Sequence, residues 1–194
     1  MTQKIRIMST IISIFGSRKP TAGSSDYDKA YRLGVELGKR GFTICNGGYG
    51  GIMEASAKGA VEAGADTIGV TVRQFRSHPN PYIKKNVTTV SLLERLEKLI
   101  DPASGYVIFP GGTGTMVELA LCWELQCKRI ITPSRPIVLF GTHWLPAVRA
   151  AEEKIQKECV PTSHDPHKPL EKYMHVTETV EETVRLLSEL LRDE

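Results

Sequence analysis

The chain is poor in aromatic residues, in cysteine and in unbalanced charge, and each shortage excludes something. Aromatics make up 7% of the 194 residues, which leaves few platforms for stacking nucleic-acid bases. Twenty-five basic residues stand against 22 acidic ones, and a net charge of +3 is too small an excess to hold a nucleic-acid polymer. The four cysteines, Cys45, Cys122, Cys127 and Cys159, show neither C-x-x-C spacing nor the density of a secreted disulfide scaffold. Reduced thiols in a cytoplasmic protein are the simpler account. No uncharged run approaches the roughly 18 to 20 apolar residues of a membrane span, so no membrane association is expected. Lys4 and Arg6 precede a short apolar run that resembles a signal peptide. Ser9, Thr10 and Ser13 interrupt it and no A-x-A site follows, so it reads as a first buried strand. Hydrophobic residues at 41% and charged ones at 24% are near the globular average and argue against disorder. A single domain over residues 1–194 fits the soft prior of about 150 residues each, and such a chain buries roughly 70% of its unfolded surface.

Short apolar runs alternate with helical patterns. Strands are predicted at Ile11 to Phe15, Phe42 to Cys45, Thr67 to Val72, Tyr106 to Phe109, Ile137 to Phe140 and Tyr173 to Val176. Helices are predicted at Asp26 to Arg40, Gly51 to Ala63, Ser91 to Ile100, Thr115 to Lys128, His143 to Glu158 and Glu178 to Arg192. Gly41 and Gly64 sit where two helices should stop, and Thr177 is placed to cap the last. Residues 73–86 and 161–169 look irregular. The strands are apolar without alternation, as in a sheet covered on both faces. The expectation is an α/β, doubly wound, mostly parallel Rossmann-like sheet, whose ligands bind beyond the carboxyl ends of the strands.

Two glycine clusters stand at such ends. Asn46-Gly47-Gly48-Tyr49-Gly50-Gly51 follows the second strand, and Pro110-Gly111-Gly112-Thr113-Gly114-Thr115 follows the fourth predicted one. Glycine lets a ligand approach the backbone closely, and the free N–H groups of a helix start favour an anion such as phosphate. Thr113 and Thr115 add hydroxyl donors. One such turn is explained by turn geometry alone; two in one sheet point to phosphate or nucleotide binding. G-x-G-x-x-G fails in both, because Met53 and Val117 occupy the last glycine positions, and no G-x-x-x-x-G-K-[ST] occurs. Ordinary dinucleotide dehydrogenases and P-loop ATPases are therefore disfavoured.

Glu118 follows Thr115 by three residues. One reading is a capping box that satisfies the helix's own amides; the other is a carboxylate beside a bound phosphate. The helix dipole favours its ionised form, which suits a base or a cation stabiliser rather than an acid. Arg95 lies off the stripe formed by Leu92, Leu93, Leu96, Leu99 and Ile100 and has no acid three or four residues away. It reads either as a solvated boundary arginine or as a side chain free to reach a ligand.

Pro110 to Glu118, PGGTGTMVE, resembles the P-G-G-x-G-T-x-x-E signature of the LOG family. Its members are cytokinin riboside 5′-monophosphate phosphoribohydrolases and related bacterial nucleotide nucleosidases, often labelled lysine decarboxylase-like. Phe15-Gly16-Ser17 is similar to the family's first-strand F-x-G-S turn, Asn46 to Met53 to its Y-G-G-G-x-x-G-L-M loop, and Leu92 to Leu96 to its M-x-x-R-K. The resemblance runs from about residue 11 to 140. Departures are Leu96 for lysine, Leu92 for methionine, Asn46 and Tyr49 in the glycine loop, and Glu54 for a glycine.

The resemblance implies catalysis by Glu118 and Arg95 on a nucleoside 5′-monophosphate, releasing free base and ribose 5-phosphate. Gly111, Gly112, Thr113, Gly114 and Thr115 would grip the phosphate, with Gly47, Gly48 and Gly50 against the sugar and Gly16 and Ser17 beside them. No metal or organic cofactor is then required. A pyridoxal-phosphate decarboxylase does not fit, since the chain is short for that fold and no lysine stands out as a Schiff-base candidate. A homodimer is expected through the helix from Thr115 to Lys128, apolar over more than one stripe. The alternative is a non-catalytic carrier, of molybdenum cofactor or another phosphate-bearing ligand, or a nucleotide sensor. His164 and His167 sit among prolines that disfavour a shared metal, and His143 reads as a helix cap or surface residue. The basic stretch with Arg73, Arg76, Lys84 and Lys85 follows a strand, so it reads as a solvated loop or one that closes over the ligand.

Overall fold

The structure is a computed structural model that describes residues 10–158 and 174–192. In it, Ile12 and Ile14 of β1 (Ile11–Phe15) are buried toward one face, and Ser13 and Phe15 toward the other. A strand with no wet side must have helices above and below, and the chain supplies them in alternation. After β1 come α1 (Ser25–Lys39), β2 (Thr43–Asn46), α2 (Ile52–Glu62) and β3 (Thr67–Val72). A short 3-10 turn (Arg73–Phe75) leads to β4 (Lys85–Thr89), α3 (Leu92–Ile100), β5 (Gly105–Ile108) and α4 (Thr113–Cys127). Then follow β6 (Ile137–Phe140), α5 (Leu145–Glu158), β7 (Met174–Thr177) and α6 (Val180–Leu190).

The seven strands form one sheet in the order β4-β3-β2-β1-β5-β6-β7, and every neighbouring pair is parallel. This is the α/β Rossmann-like fold expected. One apolar layer joins Ile12, Ile14, Ile44, Val107 and Phe109 to α1, α2 and α6. The other joins Phe15, Cys45, Val70, Tyr106 and Ile108 to α3, α4 and α5.

Several boundaries move by a residue or two, and four expectations are corrected. Part of the stretch read as irregular is β4, an edge strand of which Thr89 alone is buried; KNVTT has no apolar run to announce it. Thr177 does not cap α6. Thr179 does, in a reciprocal box with Glu182, while the Thr177 hydroxyl pairs with Thr183 at 2.6 Å. Helix α4 starts at Thr113 with Gly112 as its N-cap and no side-chain cap, so Thr115 and Glu118 do not form a capping box. On α3 the buried residues are Arg95, Leu99 and Ile100, while Leu92 and Leu93 are exposed. Gly41 and Gly64 do close their helices, at φ of 82° and 84°.

Among the described residues no helix is long and apolar enough to cross a membrane. No disulfide joins Cys45, Cys122 or Cys127, and among the described residues no group of three or more His, Cys, Asp or Glu is placed to hold a metal. Cys159, His164 and His167 lie outside the described residues.

Candidate active site

The strand order decides where a ligand fits. From β1 the chain runs outward through β2, β3 and β4, then returns to the opposite side of β1 with β5. The loops leaving β1 and β5 therefore diverge, which opens a crevice at the carboxyl end of the sheet. Backbone bonds hold the two loops in register at its base: Phe109 N donates to Phe15 O at 2.8 Å and Ser17 N to Pro110 O at 3.1 Å. The resulting cleft measures about 1110 Å³, slightly above the roughly 300–1,000 Å³ common for small-molecule sites.

Gly16 and Ser17 line it from the β1–α1 loop, Gly47 and Gly50 from the loop after β2, and residues 111–115 from the loop after β5. Arg95 and Glu118 complete the wall. Of the site residues expected from sequence, Gly48 alone lies off the cleft wall. It is buried at φ 77°, its N–H donates to Asn46 Oδ1 at 2.8 Å, and its carbonyl accepts from Asn80. Gly48 shapes the turn rather than presenting itself to a ligand.

Arg95 is not a solvated boundary residue. Helix α3 is capped by Ser91, whose hydroxyl accepts from Glu94 N, while Glu94 accepts from Val90 N at 2.8 Å. That anchoring turns position 95 inward, where only 9% of Arg95 is exposed. Its Nε donates to Val70 O of β3 at 2.8 Å, its guanidinium lies 5.8 Å from the Tyr49 ring centre, and Nη1 is 3.5 Å from Glu118 Oε1. A buried charge needs such partners to offset its lost hydration. Glu118, one turn into α4, is 8% exposed. Burial pushes its carboxyl up to about 7, against the downward pull of Arg95. Desolvation thus outweighs the pull of Arg95, which places the carboxyl's titration near neutrality rather than in the ordinary carboxylate range.

The glycines of the two loops answer to different neighbours. A methyl at Gly47 would overlap Arg95 Nη2 and come within 2.7 Å of Met53 Sδ, and one at Gly51, which holds φ 68°, would run into the backbone of Ser17 and Arg18. In the second loop only Gly111 is confined, by the Thr115 side chain. A methyl at Gly112 or Gly114 would meet nothing within 4 Å. The first-turn amides of α4, which have no intrahelical acceptor and no side-chain cap, open onto this space.

Sequence reasoning missed several lining residues. Arg18 and Lys19 come from the β1–α1 loop and Asp26 from the first turn of α1, Phe75, Ser77, His78 and Asn80 from the segment after β3, and His143 from the loop after β6. All follow strand ends, the one signal that could have found them. His143, read as a cap or surface residue, lines the cleft just before α5 and stands edge-on to Trp144 at 4.8 Å. Lys19 is exposed, unlike the desolvated lysine a Schiff base needs, so these residues do not fit pyridoxal phosphate.

A family model described as possible lysine decarboxylase matches residues 53–187. The chain is 36% identical over 104 residues to the pyrimidine/purine nucleotide 5′-monophosphate nucleosidase of Escherichia coli, a match covering 49% of this chain and 23% of that longer protein. It is 27% identical over 143 residues to the cytokinin riboside 5′-monophosphate phosphoribohydrolase of Mycobacterium tuberculosis, covering 72% and 75% of the two. Among solved structures, the molybdenum cofactor binding protein of Rippkaea orientalis superposes with a TM-score of 0.74 at 19% identity, over 95% of this chain and 99% of that one. At that identity the likeness is one of fold.

Proposed function

The chain belongs to the LOG family, that of the possible lysine decarboxylase description, and from that premise we propose that it hydrolyses the N-glycosidic bond of a nucleoside 5′-monophosphate to free base and ribose 5-phosphate. The observation that carries the reading is the buried Arg95–Glu118 pair in the wall of a cleft whose rim holds uncapped helix amides. Both curated relatives named above act on nucleoside monophosphates by name, in line with it.

The chemistry follows from the placement. Amides and hydroxyls of Gly111 to Thr115 hold the 5′-phosphate at the start of α4, and that remote binding positions the sugar. As the bond between C1′ and the base nitrogen lengthens, positive charge grows on the ribose ring, and the Glu118 carboxylate stabilises it. The bond's electron pair leaves with the base. Water adds its oxygen to C1′ and gives a proton to Glu118, which at a pKa of about 7 can return it toward the departing nitrogen. Arg95, tied at Nε to Val70 O, holds the carboxylate in place. Leu92, Leu93, Met116, Val117 and Ile130 are exposed on or beside α3 and α4, and homodimerisation through this patch is part of the proposal.

The test incubates the protein with AMP, GMP, CMP, UMP and an N6-isopentenyl nucleotide and assays free base. Release of base from at least one, lost in Glu118→Gln by about 10³-fold or more with nucleotide binding retained, is the expected result. A second reading, a carrier or sensor for a phosphate-bearing ligand, draws on the size of the cleft, about 1110 Å³. Tight binding with no turnover of any nucleotide would favour it.

A further inference from the structure

The cleft has one wall that hydrolysis at C1′ does not use. Of the large apolar side chains exposed among the described residues, Phe75 alone lines the cleft, and it is 48% exposed. A phenyl ring left half in water beside a polar site forfeits the burial it would gain elsewhere. Its neighbour is Tyr49, at 5.8 Å between ring centres and 48° between planes. Tyr49 is in turn fixed: its phenol oxygen accepts from Val72 N at 3.0 Å, and its carbonyl accepts from Asn80 Nδ2 at 2.8 Å. Asn80 N also donates to Gly48 O at 2.7 Å, so the segment carrying Phe75 is tied to the loop carrying Tyr49. The Arg95 guanidinium is the other neighbour of the Tyr49 ring, 5.8 Å from its centre.

These contacts set an order: amides of residues 111–115, then Glu118 with Arg95, then Tyr49, then Phe75. A mononucleotide has the same order of phosphate, ribose and base. We infer that Tyr49 and Phe75 form the wall against which the flat nucleobase packs, with Phe75 as the residue that sets preference among bases. The inference rests on the nucleotide reading above and adds the base subsite to it. Stacking grows with ring area, so purine nucleotides bind more tightly here than pyrimidine ones. The wall is held by hydrogen bonds in the free protein, so little ordering is needed when the base arrives.

Titration calorimetry on Glu118→Gln protein, which holds substrate without consuming it, separates the two claims. AMP, CMP and ribose 5-phosphate are the probes, each with Phe75 intact and with Phe75→Ala, Phe75→Leu and Phe75→Trp. Phe75→Ala should weaken AMP about 10-fold and CMP about 3-fold while ribose 5-phosphate changes by less than about twofold. Phe75→Trp should hold AMP as well as the parent, and Phe75→Leu, apolar but without a ring, should fall between. Equal losses for all three ligands, no loss for AMP, or a leucine variant as good as phenylalanine would overturn the base wall while leaving the nucleotide reading intact. Failure of the parent protein to bind AMP and ribose 5-phosphate alike would overturn both.

Discussion

The two glycine-rich loops have nearly the same composition and opposite reasons for it. In the loop after β2, each of Gly47, Gly48 and Gly51 is demanded by the protein's interior: Gly47 by the Arg95 guanidinium, Gly48 and Gly51 by φ of 77° and 68°. In the loop after β5, Gly112 and Gly114 have open space where a side chain would go, and Gly114 lies inside helix α4, where glycine is less favourable than alanine by about 1 kcal/mol. Glycine that the fold requires builds the scaffold for Arg95. Glycine that the fold does not require leaves open space, where the proposed nucleotide phosphate would sit.

Substitutions can break that contrast. The largest effect belongs to Gly51→Ala, which forces a side chain into a glycine-only conformation and onto the Ser17 backbone. It should destabilise by roughly 3 kcal/mol or more, read as a lowered urea midpoint. Gly47→Ala should displace the guanidinium and lower kcat/KM about 10²-fold while the chain still folds, checked by circular dichroism beside the assay.

The same variant sharpens the pH dependence. In the proposed hydrolysis Glu118 acts as the carboxylate, so kcat/KM should rise with pH and level off above about 7. Arg95 pulls that pKa down, hence in Gly47→Ala the profile should move to higher pH. The linked stability has the opposite sign. Because the folded pKa is raised from 4.5 to about 7, the contribution from this group is full below pH 4.5 and is lost as pH climbs through about 7.

In the second loop the signs separate again. Gly114→Ala should leave stability unchanged or raise it by up to about 1 kcal/mol, yet weaken nucleotide binding about 10-fold by intruding on the phosphate. A parallel loss of stability and binding would erase the distinction between the loops. Smallest is Tyr49→Phe, which gives up the bond to Val72 N–H for about 1 kcal/mol, read as a small drop in melting temperature.

Much of the fold was legible because it follows from apolar runs. Ile11–Phe15, Thr67–Val72 and Ile137–Phe140 are strands whose residues have nowhere to go but a doubly covered sheet. Strand β4 was not legible, since an edge strand exposed along Lys85–Asn86 relies on pairing with β3 rather than on burial. The placement of Glu118 followed from a motif. That of Arg95 was half hidden: a stripe of leucines suggested the buried face of α3, while the structure buries the arginine and exposes Leu92 and Leu93. Hydrophobicity could not reveal this, because the Val70 carbonyl, Tyr49 and Glu118 that compensate the charge come from three other elements. Phe75 was hidden for the same reason, lying in a loop with no periodicity and acquiring meaning only beside Tyr49.

The most direct measurement is a crystal structure of Glu118→Gln protein soaked with AMP. The account places the phosphate on the amides of Gly112 to Thr115, with C1′ facing the residue 118 side chain. AMP seated with its phosphate away from those amides, or with C1′ turned from residue 118, would contradict it.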